Sequence, residues 1–142
     1  MITETRFPVR YAETDQMGIV HHSVYPIWFE CGRTDFIKYY GISYNELEEL
    51  GLMLPLIRLT CEYKNPVKYG DSVLVKTRLI KATKVRLVLG YEIYAENKNL
   101  LCVQGTTEHA WTAKNLKPVN ISKYKPEIFK KLVPMYNSVT GE

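Results

Sequence analysis

Residues 11–36 read YAETDQMGIVHHSVYPIWFECGRTDF, and their reading decides the fold. A polar turn carrying acids, Gly18 and two histidines runs directly into a long, largely apolar segment. Ser23 is the N-cap candidate. Pro26 falls inside the first helical turn, where its missing N–H costs little. From Val24 to Tyr40 the apolar residues Val24, Ile27, Trp28, Phe29, Cys31, Phe36 and Ile37 face most directions, the pattern of a helix covered on most sides. A helix from about Ser23 to Tyr40 spans about 25 Å. Gly32 costs roughly 1 kcal/mol relative to Ala at mid-helix, which predicts the close approach of another backbone there. Pro26, Glu30 and Arg33 share one side, so Glu30 is expected either to pair with Arg33 or to face a second subunit. Gly41 closes the helix.

Upstream, residues 3–11 alternate loosely and read as a strand, with Pro8 on an edge or near its end. Downstream, Ser43-x-x-Glu46 is a capping box that opens a short helix over 43–50. From Leu54 the period changes to two. Strands are expected over 54–63, 72–83, 84–96 and 100–114, the last three at hairpin spacing and therefore antiparallel. Pro118 begins an extended tail, and a short terminal helix is expected over 126–133. A long apolar helix beside an antiparallel sheet must bury itself against that sheet. The expected class is α+β, in one domain over 1–142.

Composition narrows the function. The 142 residues are 46% hydrophobic and carry a net charge of +4, with the basic residues scattered. A nucleic-acid binder would show a basic stripe or tail, so no nucleic-acid partner is expected. No stretch approaches the ~18 apolar residues of a membrane span. MITETRFPVR lacks the apolar run of a signal peptide. Cys31, Cys61 and Cys102 are odd in number and far apart. They read as reduced core fillers in a cytoplasmic protein, with no metal site.

The chemistry concentrates in the polar turn. Asp15 is either a turn aspartate or a nucleophile or general base set just before a helix N-terminus, whose N–H groups would polarise a carbonyl. His21 and His22 are adjacent and are expected to point apart, a poor metal pair. His22 precedes the cap and is either catalytic or bonded to the turn. Glu13 reads as turn-forming or solvated. Met17, Trp28 and Met53 are candidates to line a pocket.

Two stretches resemble a known family. Y-x-x-T-D-x-M-G-I-V-x-H-x-x-Y-x-x-W-F-E-x-x-R (Tyr11 to Arg33) and E-Y-K-N-P-V-K-Y-G-D-S-V-L-V-K-T (Glu62 to Thr77) are similar to the signature segments of the 4-hydroxybenzoyl-CoA thioesterase family. The branch containing the Tol–Pal-associated short-chain acyl-CoA thioesterase is especially similar. The resemblance implies a hot-dog fold, with an antiparallel sheet wrapped around the 23–40 helix. It implies hydrolysis of an acyl-CoA thioester without cofactor or metal, coenzyme A entering only as part of the substrate. Asp15, His22 and Tyr11 match catalytic positions. Gly18, Ser23, Val24 and Tyr25 match the substrate-contacting entry to the helix. Val24 departs from the family's usual Asn. A homodimer or homotetramer with interfacial sites is implied, and Lys84, Arg86 and Lys117 are the expected holders of the CoA phosphates, from the same or a neighbouring subunit. Two alternatives stay open: an acyl-thioester hydratase or dehydratase with Glu30 as the helix acid, and a non-catalytic acyl-CoA-binding protein.

Overall fold

The computed structural model describes residues 1–140, so the last two residues of the expected 1–142 domain lie outside the described residues. Five strands, β1 (Thr3–Pro8), β2 (Leu56–Tyr63), β3 (Ser72–Ala82), β4 (Arg86–Ala95) and β5 (Leu100–Ala110), form one antiparallel sheet in the order β1-β3-β4-β5-β2. The helices are α1 (Tyr25–Tyr39), α2 (Tyr44–Glu49), α3 (Ile121–Tyr124) and α4 (Pro126–Thr140). Register shifts at Leu79/Lys81, Ile93/Tyr94 and Leu56/Arg58 add local twist that curls the sheet around α1. This is the hot-dog arrangement of the α+β class. Pro8 ends β1, which is an edge strand, so its missing donor interrupts no interior ladder.

Helix α1 is buried through Tyr25, Trp28, Phe29, Gly32, Phe36 and Ile37. Phe29 stacks on Tyr91 of β4, with centroids 4.4 Å apart and planes 9° apart. Gly32 does meet a close neighbour, but not backbone: an added Cβ would collide with the Thr77 hydroxyl and come within 2.9 Å of Val75 Cγ1. Side chains of β3 fill the space a Cβ would need.

The structure corrects several expectations. Ser23 is not the cap. Val24 holds that position in αR conformation with no side-chain bond, and the Ser23 hydroxyl instead meets His21 Nδ1 at 2.7 Å. Cys31 is exposed rather than a core filler, whereas Cys102 is buried. The tail contains α3, capped by Asn120, and α4 runs to Thr140 instead of stopping at 133. Pro134 would end a helix in isolation, at a cost of ~3 kcal/mol. Here Ile128, Leu132, Met135 and Tyr136 all bury, and the Tyr136 hydroxyl accepts from Trp111 Nε1 (3.0 Å) and donates to Thr83 O (2.8 Å). Tertiary burial offsets the missing helical bond.

A buried polar chain crosses the sheet beneath α1. His109 Nδ1 lies 3.1 Å from Leu54 O, its Nε2 2.9 Å from Thr107 Oγ1, and that oxygen 2.6 Å from the Tyr91 hydroxyl. The bonds are consistent with a neutral imidazole that donates to Leu54 and accepts from Thr107. Burial, reinforced by the nearby Arg33 charge, pushes the His109 pKa down to about 4. Its folded pKa lies below the unfolded value of about 6.5, so the unfolded state binds more protons in that window. The contribution is fully present above pH 6.5 and is lost as pH falls toward 4. We expect stability to drop by about 3 kcal/mol over that range, read as the urea midpoint at pH 7 against pH 4.5. His109→Gln should flatten most of this dependence; an unchanged slope in that variant would assign it elsewhere.

Candidate active site

The loop before α1 is held by a charge placed inside the fold. Glu13 is only 8% exposed. Its carboxylate accepts from Arg10 N (2.7 Å), Arg10 Nη2 (3.1 Å) and Trp28 Nε1 (3.0 Å). Burial works to raise its pKa, but these bonds and the Arg10 charge outweigh it and hold it below the ordinary value. Of the two expectations for Glu13, the solvated one is corrected and the turn-forming one holds: it closes its own turn and fastens the loop to the buried indole of α1. Glu13→Ala strands the Trp28 N–H in the core and should cost about 2–4 kcal/mol, measurable by thermal denaturation.

From this anchor the chain turns back on itself. His21 N donates to Glu13 O, Asp15 N to Ile19 O and Gly18 N to Asp15 O. Gly18 takes φ +79°, which the tight return requires. Asp15 Oδ1 accepts from Met17 N at 2.8 Å and Ile19 N at 3.4 Å. Asp15 Oδ2 has no hydrogen bond or ion pair among the described residues. One oxygen of Asp15 therefore builds the turn, and the other is free among the described residues.

That side chain lines a cavity of about 380 Å³, together with Met17, Ile19, Val20, His22 and Tyr25 on one side and Tyr63, Lys64, Asn65 and Pro66 on the other. The second group lies at the end of β2 and just beyond it. The Tyr63 hydroxyl donates to His22 O at 3.0 Å, tying strand to helix entry. Burial pushes the Tyr25 hydroxyl up to about 12, so it stays protonated. The backbone N–H groups of His22 and Tyr25 find no acceptor among the described residues, while Ser23 N is taken by His21 Nδ1 and Val24 N by His21 O.

The remaining candidates are placed differently. Tyr11 is exposed and sits edge-on to Tyr69, outside the lining of this cavity. Gly18, Ser23 and Val24 shape the loop but do not line the cavity, and the Val24 side chain enters the core. Trp28 is core and Met53 lines a different cavity, whereas Met17 does line this one. Lys84 and Arg86 lie at the β3–β4 turn and Lys117 beyond β5, at the opposite end of the sheet from Asp15. The eleven residues of β3 separate the two ends by about 33 Å. Arg86 also pairs with Glu108 at 3.6 Å. Among the described residues, Lys64 is the cation that lines the cavity itself, and the second signature segment, beginning at Glu62, was the signal that could have found it.

Comparison with known proteins follows the same outline. The model of the thioesterase-like superfamily matches residues 9–136. The Bacillus subtilis protein YneP, provisionally named an acyl-CoA thioesterase, is 36% identical over 127 residues, 89% of this chain and 91% of that one. The Escherichia coli acyl-CoA thioester hydrolase YbgC is 28% identical over 98 residues, 68% of this chain and 73% of its own. The crystal structure of DHNA-CoA thioesterase from Staphylococcus aureus superposes with a TM-score of 0.90 at 34% identity, covering 99% of this chain and 95% of that one.

Proposed function

The chain belongs to the thioesterase-like superfamily and is a thioester hydrolase, and on that premise we propose that it cleaves an acyl-CoA to free acid and coenzyme A, with Asp15 as nucleophile or general base. One observation carries the residue assignment. A carboxylate whose Oδ1 is spent on its own loop presents an unbonded Oδ2 in a cavity at the entry to α1.

In this reading the thioester carbonyl lies against the free N–H groups of His22 and Tyr25, which stabilise the oxygen as it becomes negative. Oδ2 either attacks the carbonyl carbon or takes a proton from the water that does. The C–S bond then breaks and the thiolate leaves. In the first route water hydrolyses the resulting anhydride. The His22 side chain is available to move a proton at the cavity mouth.

The hydratase alternative needs a histidine and a helix acid in one site. Glu30 lines other cavities than Asp15 and His22, so one protomer does not assemble that pair.

A homodimer or a tetramer built from it belongs to the same proposal. Edge strand β2 exposes Leu56, Ile57 and Leu59 beside an unpaired ladder. Two copies pairing antiparallel there would set the Leu56 end of one against the Tyr63 end of the other. Lys84, Arg86 and Lys117 could reach CoA phosphates only across such an assembly. No helix among the described residues is long and apolar enough to cross a membrane, and a cytoplasmic location completes the proposal. The test is CoA release, followed with a thiol reagent over short, long and aromatic acyl-CoAs. Saturable CoA binding without thiol release on any of them would favour the binding-protein reading.

A further inference from the structure

A second cavity, of about 430 Å³, opens between α1, α2 and the loop before β2. Arg33 of α1 lines it, and lines an adjoining cavity of about 300 Å³ as well. The pair with Glu30, one of the two expectations for that residue, is absent: no carboxylate lies within ion-pair distance of Arg33 among the described residues. Instead Arg33 Nε donates to the Tyr44 hydroxyl at 2.8 Å, and the Tyr91 hydroxyl neighbours the guanidinium. Donors on the two Nη atoms are left with no anion to meet. A largely buried cation without a counter-charge is costly unless something supplies one.

Two further observations fall on the same cavity. Its walls are apolar, with Leu47, Leu52 and Met53 among them. Over it hangs Leu116, 62% exposed and held at φ +65°, a left-handed conformation that a leucine rarely adopts. Glu30 and Glu48 also line the cavity, but both are exposed, where water weakens their field.

We propose that this cavity binds a carboxylic acid with an apolar body, the carboxylate seated on Arg33 and the body beneath Leu116. A guanidinium meets a carboxylate with two parallel bonds, which an amide or alcohol cannot reproduce. The acid is of the chemical class that thioester hydrolysis releases. That link rests on the proposed function; the binding does not.

The test titrates the whole chain, in the Asp15→Asn background, with octanoate and with octanamide by calorimetry. Saturable octanoate binding is expected, with no octanamide binding at equal concentration. Arg33→Gln and, separately, Leu116→Asp should each weaken octanoate at least tenfold with the assembly mass unchanged. Equal binding of the amide, octanoate binding indifferent to both variants, or loss of binding only through dissociation of the assembly would overturn the proposal. Leu116→Asp, on an exposed rim, decides the matter if Arg33→Gln does not fold. Octanoate binding in a protein that releases no CoA from any acyl-CoA would leave this site standing and remove the hydrolytic reading.

Discussion

Asp15→Asn is expected to lower kcat for CoA release by about a thousandfold or more while leaving the fold and assembly intact. The two halves of the side chain act separately, which is why the variant is informative. Asparagine keeps an oxygen where Oδ1 accepts from Met17 N and Ile19 N, so the loop should stay closed. What disappears is Oδ2 as an anion, replaced by an amide nitrogen that neither attacks a carbonyl nor accepts a proton. Losing a positioned base or nucleophile costs on the order of 10²–10⁴ in rate, and no second carboxylate among the described residues lines this cavity. Thermal stability should move by less than about 0.5 kcal/mol, as for substitutions that spare buried contacts. Turnover close to that of the unmodified protein would remove Asp15 from the chemistry. Asp15→Ala is the poorer probe, because it opens the loop as well as removing the charge.

The largest structural effect is expected at Gly105 of β5. A Cβ there would overlap the Thr60 carbonyl oxygen on the neighbouring strand and stand 2.8 Å from the Phe29 ring of α1. Backbone in a paired strand cannot step aside, and Phe29 is clamped against Tyr91. Gly105→Ala should therefore cost about 3 kcal/mol or more, at the upper end for overpacking, and Gly105→Val should abolish folding in a domain worth ~5–15 kcal/mol. Gly90 is a useful contrast, because its added Cβ meets chiefly the flexible Ile80 side chain, at 2.7 Å. Gly90→Ala should be milder under the same urea titration. Equal cost at the two sites would refute the distinction between backbone and side-chain obstruction.

Much of the fold was legible because its signals are local. The apolar run after Ser23, the capping box at Ser43, the turn glycines and the change to a two-residue period each depend on a few adjacent residues. They placed α1, α2 and the five strands to within a few residues. The errors share one cause. Ser23 looked like a cap because its hydroxyl is the right group in the right place, but His21 Nδ1 took it. The terminal helix was expected to stop at 133, but Trp111 and Thr83, far along the chain, hold Tyr136 beyond Pro134.

The site divides in the same way. Asp15, Gly18 and the helix entry lie within ten residues of one another, so the sequence could bring them together without the fold. Tyr63, Lys64 and Asn65, which close the other side of the Asp15 cavity, sit some forty to fifty residues away in the chain and arrive only through the pairing of β2 with β5. For Glu13 the sequence leaves turn-forming and solvated side by side, because nothing nearby in it announces the Trp28 indole that buries the carboxylate. By itself the sequence determined the order of elements and the loop that carries the carboxylate, since spacing, caps and turns act over a few residues. Only the tertiary structure decided which charges are buried, which oxygen of Asp15 is free and what faces Arg33. Burial and hydrogen bonding depend on what the rest of the chain packs against each group.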